Sequence, residues 1–111
     1  MSKRIQRVNE LLKQEVGQIL LRDFECPKGI LVTVTRAETS LDLGTSRIFI
    51  SVIPEGNEDK VMRLLGKKIY VLQQKVNKKL KMKRIPKIEF IKEEKAKEAE
   101  RIEEILERLK K

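Results

Sequence analysis

Residue types that perform catalysis are scarce in this chain of 111 residues, whereas the type that binds anions is concentrated in one place. There is no His to serve as a general base near neutral pH, and the single Cys26 stands beside Pro27 with no second thiol to share a metal. A small apolar side chain in the interior is the stronger reading of Cys26 than a catalytic or metal-binding one. Asp and Glu are mostly interleaved with Lys or Arg, as on solvated faces, and no glycine pattern matches a phosphate-binding loop or a dinucleotide fingerprint. The chain is therefore expected to be neither an enzyme nor the holder of a cofactor, a metal or a small-molecule substrate.

Lys67, Lys68, Lys75, Lys78, Lys79, Lys81, Lys83, Arg84 and Lys87 fall within 21 positions that contain no acid. The chain's net charge is +9, and the excess sits here: residues 92–111 balance seven bases against seven acids, and residues 23–66 are slightly acidic. Phosphate contacts would use such a stretch through counterion release, with affinity falling steeply as salt rises. Contacts of this kind position a partner without reading its sequence. The structural alternative is a lysine-rich solvated surface. Only Tyr70 lies inside the stretch, so a row of aromatics for stacking splayed bases is missing and recognition of shape and backbone fits better. Lys3, Arg4 and Arg7 add a second basic group near the N-terminus. Phosphate electrostatics alone leave RNA and duplex DNA both open.

These cations need a scaffold, and the apolar residues supply its pattern. From Ser2, a candidate N-cap, Ile5, Val8, Leu12, Val16 and Ile19 recur at helical spacing, predicting a helix that ends near Arg22 with Lys3, Arg7, Gln14 and Gln18 on its solvent side. Pro27 and Gly29 break it. Ile30 to Thr39 is rich in β-branched residues and predicts a strand. Ser40, Asp42 and Gly44 carry turn chemistry, so the chain should reverse into a second strand from Thr45 to Ile53, with Ile48, Ile50 and Val52 on an apolar face that helices should cover.

Asn57 is placed to cap a helix carrying Glu58 and Asp59 in its first turn, and Met62, Leu65, Ile69, Leu72, Val76 and Leu80 keep one phase across Gly66. Lys67, Lys75 and Lys78 should project opposite that stripe. Pro86 ends any helix, and Lys87 to Ile91 alternates as a third strand with Ile88 and Phe90 inward. From residue 93 the composition changes, and Ile102, Ile105, Leu106 and Leu109 predict an amphipathic helix that docks on the domain or on a partner. The expected organisation is one α+β domain over residues 1–92 followed by that helix over 93–111.

No apolar run is long enough to cross a membrane, and no signal-peptide core stands at the N-terminus. A cytoplasmic location is expected, and the lone cysteine agrees with it. Abundant Lys and Glu give a weak pointer to a heat-adapted source.

The order of elements and several segments resemble the ribosome-binding factor A family. The segments are Arg7-Val8-Asn9-Glu10-Leu11-Leu12 with Glu15, Val32-Thr33-Val34-Thr35, and Ser40-Leu41-Asp42-Leu43 leading into Arg47-Ile48-Phe49-Ile50-Ser51-Val52. Leu80 to Phe90 is similar to the family's basic approach to its last strand, and Arg101 to Leu106 to its terminal helix. Together they cover nearly the whole chain, and their order is more specific than any one of them.

The resemblance implies a KH-like (type II-like) domain, α-β-β-α(α)-β with a C-terminal helix, whose three-stranded sheet is covered by helices on one face. It further implies a factor, monomeric off the ribosome, that binds the small (30S) subunit and 16S rRNA, assists late maturation of the subunit, particularly in the cold, and leaves before translation. Arg7, Lys83 and Arg84 are the basic positions that match the family best. No two of the five glycines have the spacing of the GXXG loop that clamps nucleotides in other KH domains. Where the family kinks its second helix at Ala-x-Gly followed by Arg, this chain has Lys68-Ile69-Tyr70 and then Gln73. The alternatives are a break at Gly66, one near Tyr70, or none. Against the ribosomal reading stand a sequence-tolerant binder of duplex DNA or other RNA, and a protein-interaction module that uses the C-terminal helix.

Overall fold

In the computed structural model, residues 3–94 are described, and they form α1 (Lys3–Asp23), β1 (Leu31–Thr39), β2 (Thr45–Ile53), α2 (Glu58–Lys79) and β3 (Lys87–Lys92). Of the helix expected over 93–111, Glu93 and Glu94 are described and are not helical, and residues 95–111 lie outside the described residues, as does Ser2. The sheet order is β1-β2-β3, with β2 antiparallel to β1 and parallel to β3. A parallel neighbour cannot be joined by a tight turn, and α2 supplies the crossover. This is an α+β, KH-like arrangement, with both helices on one face of a three-stranded sheet.

The helical spacing read from the sequence is the spacing that is buried. Val8, Leu12, Val16, Ile19 and Leu20 of α1 share one core with Val34 and Ala37 of β1 and Ile48, Ile50 and Val52 of β2, and Ile5 is buried as well. On α2 the buried positions are Val61, Leu65, Leu72 and Val76, while Met62 and Ile69 are only half-buried at the margin of the stripe. Val61, unremarked in the periodic set, is fully buried because α2 turns its first apolar position squarely toward the sheet.

Of the three alternatives for α2 the unbroken helix is the one found, and the expectation of an Asn57 side-chain cap is revised. The helix is continuous from Glu58 to Lys79, through Gly66 and Tyr70, so neither supplies a break. Asn57 does occupy the N-cap position, but its side chain makes no cap hydrogen bond. Its Nδ2 instead donates to the Pro54 carbonyl at 2.9 Å, and the Glu58 carboxylate reaches back to accept the Gly56 amide at 2.8 Å. The amide is drawn off because the turn at Pro54 to Gly56 offers it a local carbonyl, a competition typical of short polar side chains.

The hairpin turn is held by side chains. Ser40 Oγ accepts the Gly44 and Thr45 amides, each at 3.1 Å, and its hydroxyl donates to Asp42 Oδ1 at 2.6 Å. Asp42 Oδ1 also accepts the Gly44 amide at 2.9 Å. These bonds lower the Asp42 pKa, with the Ser40 hydroxyl first and the Gly44 amide second. Leu43 sits at φ 59° between them, a conformation that costs a non-glycine residue energy and that the surrounding bonds must hold.

On the far face of the sheet a register shift between Val34 and Arg36 turns Thr35 and Arg36 together toward the open side. The Arg36 guanidinium lies 3.6 Å from the centroid of the Phe49 ring. Its Nε donates to Glu93 at 3.1 Å, and the Thr35 hydroxyl donates to the same carboxylate at 2.6 Å. Phe49, on the face of β2 opposite Ile48 and Ile50, is only 7% exposed, with Arg36 over its ring.

Candidate nucleic-acid interface

The C-terminal end of α1 meets α2 along the helix's lysine-rich half. Two adjoining clefts result. One, of about 500 Å³, is lined by Ile19, Arg22, Asp23, Lys75, Lys78 and Lys79. The other, of about 400 Å³, is lined by Asp23, Phe24, Glu25, Leu64, Lys67 and Lys68. Five of the expected contact residues, Lys67, Lys68, Lys75, Lys78 and Lys79, are thus gathered around one helix end. Arg22, Lys78 and Lys79 also stand in the last turns of their helices, where cations complement the unsatisfied carbonyls.

Lys75 departs from its expected position. It does not project away from the body but is half-buried, with Nζ 3.3 Å from Asp23 Oδ1. Asp23 also lies 3.7 Å from Arg22 Nε. A stretch that reads as free of carboxylates along the chain therefore receives one from α1. Periodicity could not show this, because it depends on which turn of α2 the end of α1 crosses.

Lys81, Lys83, Arg84 and Lys87 form a second group on the segment leading into β3. All four are exposed, because Leu80, Met82, Ile85 and Pro86 turn inward and anchor the segment on the core. The Lys87 amide donates to the Gly44 carbonyl at 3.0 Å, which fixes this segment beside the hairpin turn. The charge of Arg84 is close enough to add to the lowering of the Asp42 pKa.

Lys3, Arg4 and Arg7 are exposed at the opposite end of α1. With a rise of about 1.5 Å per residue, Arg7 stands about 24 Å along the helix axis from Asp23. The structure therefore does not bring them into the α1–α2 clefts.

The clefts hold ammonium and guanidinium groups and two carboxylates, a composition suited to binding an anion. Among the described residues no group of His, Cys, Asp and Glu is arranged to hold a metal ion. Cys26 is half-buried, and desolvation raises its thiol pKa, the direction opposite to that of an activated thiolate. No helix among the described residues is long and apolar enough to cross a membrane.

The family model described as ribosome-binding factor A matches residues 4–106. The chain belongs to the ribosome-binding factor A family. It is 34% identical over 109 residues to ribosome-binding factor A of Thermodesulfovibrio yellowstonii, an alignment covering 98% of this chain and 92% of that protein. It is 35% identical over 117 residues to the same factor of Chlorobium phaeovibrioides, covering 100% of this chain and 95% of that protein.

Among solved structures, the crystal structure of ribosome-binding factor A from Thermus thermophilus aligns with a TM-score of 0.70 at 19% identity, covering 79% of this chain and 94% of that one. A homology model of the Thermus thermophilus factor, fitted into a cryo-EM map of a 30S–RbfA complex, aligns with a TM-score of 0.63 at 21% identity, covering 75% and 88%. At these identities the likeness establishes the ribosome-binding factor A fold.

Proposed function

We propose that this protein is a non-enzymatic assembly factor that binds the small ribosomal subunit through 16S rRNA and assists late maturation of the subunit in the cytoplasm, with its greatest effect in the cold. The observation that carries the reading is the gathering of Lys67, Lys68, Lys75, Lys78 and Lys79 around the end of α1, in a chain matched along almost its entire length by the ribosome-binding factor A family. A relative of the same fold has been fitted into a map of a 30S complex, which favours the subunit over free duplex DNA.

The mechanism is a population shift. Cations held on a rigid helix pair bind those rRNA conformations whose phosphates match their spacing, and so bias immature rRNA toward them. Lys81, Lys83, Arg84 and Lys87 extend the surface toward the hairpin turn. Lys3, Arg4 and Arg7 offer a separate contact at the far end of α1. No bond is made or broken in such a process, and no cofactor is required.

Co-sedimentation with purified small subunits, mature ribosomes and duplex DNA tests this. Preferential pelleting with free small subunits is expected, and equal partition among the three would overturn the assignment. Replacing Lys67, Lys78 and Lys79 by Gln should leave the fold intact, because all three are exposed, and should flatten the slope of log affinity against log salt by about 2. Asp23→Asn should act in the opposite sense, tightening binding by releasing Lys75 and Arg22 to phosphate.

A further inference from the structure

Phe24, Phe49, Phe90 and Tyr70 are the aromatic residues of the chain, and the three phenylalanines are taken up by the body of the protein. Phe49 is buried, and Phe24 and Phe90 pack against the core. Tyr70 is the exception. It stands near the middle of α2 with a relative exposure of 73%, and Val71 beside it is 48% exposed. An aromatic and a β-branched residue are poorer helix formers than Lys, Gln or Ala, and neither of these two offsets that cost by deep burial among the described residues.

Single exposed apolar residues are common, but the surroundings of this pair are strongly charged. At 3.6 residues per turn, Arg63, Lys67, Gln74 and Lys78 all lie within about 80° of Tyr70 around the axis of α2, and all are exposed. Lys67 precedes Tyr70 by about one turn and Lys78 follows it by about two, so the two ammonium groups bracket the ring over about 16 Å of helix. No acid occurs in the chain between Asp59 and Glu89. Asp23, which reaches α2 from α1, is engaged by Lys75, about 140° away from Tyr70 around the helix. Lys67 also lines one of the α1–α2 clefts, so the ring borders the cationic surface already described. An apolar partner would have to desolvate the cations beside the ring without pairing them. A nucleic-acid strand meets both chemistries at once, with phosphates for the lysines and the face of a base for the phenol.

Resting on the reading of the protein as an RNA-binding factor, we propose that Tyr70 is a stacking contact for one unpaired base, with Val71 extending the apolar spot and with Lys67 and Lys78 holding phosphates on either side. A lone ring cannot make the platform that tracks a single strand, but it can hold the one base that a bulge or loop turns out of a helix. The cations position the RNA. Tyr70 then separates RNA that presents an unpaired base at this point from RNA that is fully paired, a distinction that phosphate contacts alone do not make.

Tyr70 is the sole tyrosine and the chain has no tryptophan, so intrinsic emission from the full chain reports on this ring alone. In the free protein the emission should be open to quenching by acrylamide. Protection there, or emission that changes with protein concentration, overturns the proposal, since the chain itself or a second copy would then cover the ring. Single-stranded oligoadenylate should quench the emission, whereas fully paired RNA and inorganic polyphosphate, which engage the lysines alone, should bind without quenching it. Quenching by polyphosphate to the same extent, or binding of oligoadenylate without quenching, overturns it as well. Tyr70→Ala, at a position largely in solvent, should weaken oligoadenylate binding about tenfold at an unchanged salt slope, and Tyr70→Phe should retain the affinity. Lys67→Gln should instead reduce the slope by about 0.7. Small subunits bound as tightly by Tyr70→Ala as by the unaltered chain sink the stacking contact alone. Stacking on oligoadenylate with no preference for small subunits sinks the functional assignment and leaves the contact standing.

Discussion

The Gln73 carboxamide serves the edge strand β3 as a neighbouring strand would. Its Oε1 accepts the Ile88 amide at 2.8 Å while Nε2 donates to the Pro86 carbonyl at 3.2 Å. One side chain of α2 thus satisfies a donor and an acceptor that the outer edge of β3 would otherwise leave to water. Nε2 is also 3.0 Å from Asn77 Oδ1, which orients the amide. Replacing Gln73 by Leu should cost about 1–3 kcal/mol, because it strands partly buried backbone groups without returning them to solvent. Thermal unfolding should show a fall of several degrees, and amide exchange at Ile88 should accelerate more than at Ile48.

Arg36 compensates Glu93, and removing it leaves the carboxylate enclosed beside Phe49. Arg36→Ala is expected to destabilise the fold by about 3 kcal/mol. Arg36→Ala with Glu93→Leu should recover part of that loss, since the second change removes the stranded charge. Urea denaturation of the two variants provides the comparison, and a double variant no more stable than the single one would contradict it.

Gly17 and Gly66 lie in the interiors of α1 and α2, neither at positive φ, and a Cβ at either would meet no atom within 4 Å. Alanine therefore costs nothing in packing while reducing the freedom of the unfolded chain. Each substitution should raise stability by about 0.5–1 kcal/mol. A loss of stability at Gly66 would mean that the helix needs glycine there.

The Asp42 carboxyl should titrate below the usual carboxylate range, held there by the Ser40 hydroxyl, the Gly44 amide and the charge of Arg84. The unfolded chain then binds more protons than the native one between the native value and the ordinary value. The contribution of Asp42 is therefore present in full above the ordinary range and is lost as pH falls through the native value. Carbon-detected titration of Asp42 should move toward the ordinary value in Ser40→Ala, and to a smaller extent in Arg84→Ala.

Much of this architecture could be read from residue spacing. The faces of α1, the hairpin at Ser40 to Gly44 and the alternation of β3 all follow from local pattern, because each is decided by which side chains must leave water. What local pattern could not reach was relative placement. Lys75 looked free until the end of α1 set Asp23 beside it, and the placing of Arg36 over the Phe49 ring rests on a shift in register between β1 and β2. Gln73, a departure from the family's helix kink, found its role in β3, fifteen residues away in the chain. The contact residues themselves were legible as charge, while their grouping into an α1–α2 cluster, a β3 approach and a separate N-terminal set depended on tertiary structure.

The two ends of α2 are unlike in sign, with Glu58 and Asp59 in the first turn and Lys78 and Lys79 in the last. Over about 33 Å of helix this separation amounts to a permanent electric moment fixed to the body of the protein. In the field of a polyanion such a body is turned as well as drawn, so that it arrives with the lysine end leading and a larger share of encounters begin in a productive orientation.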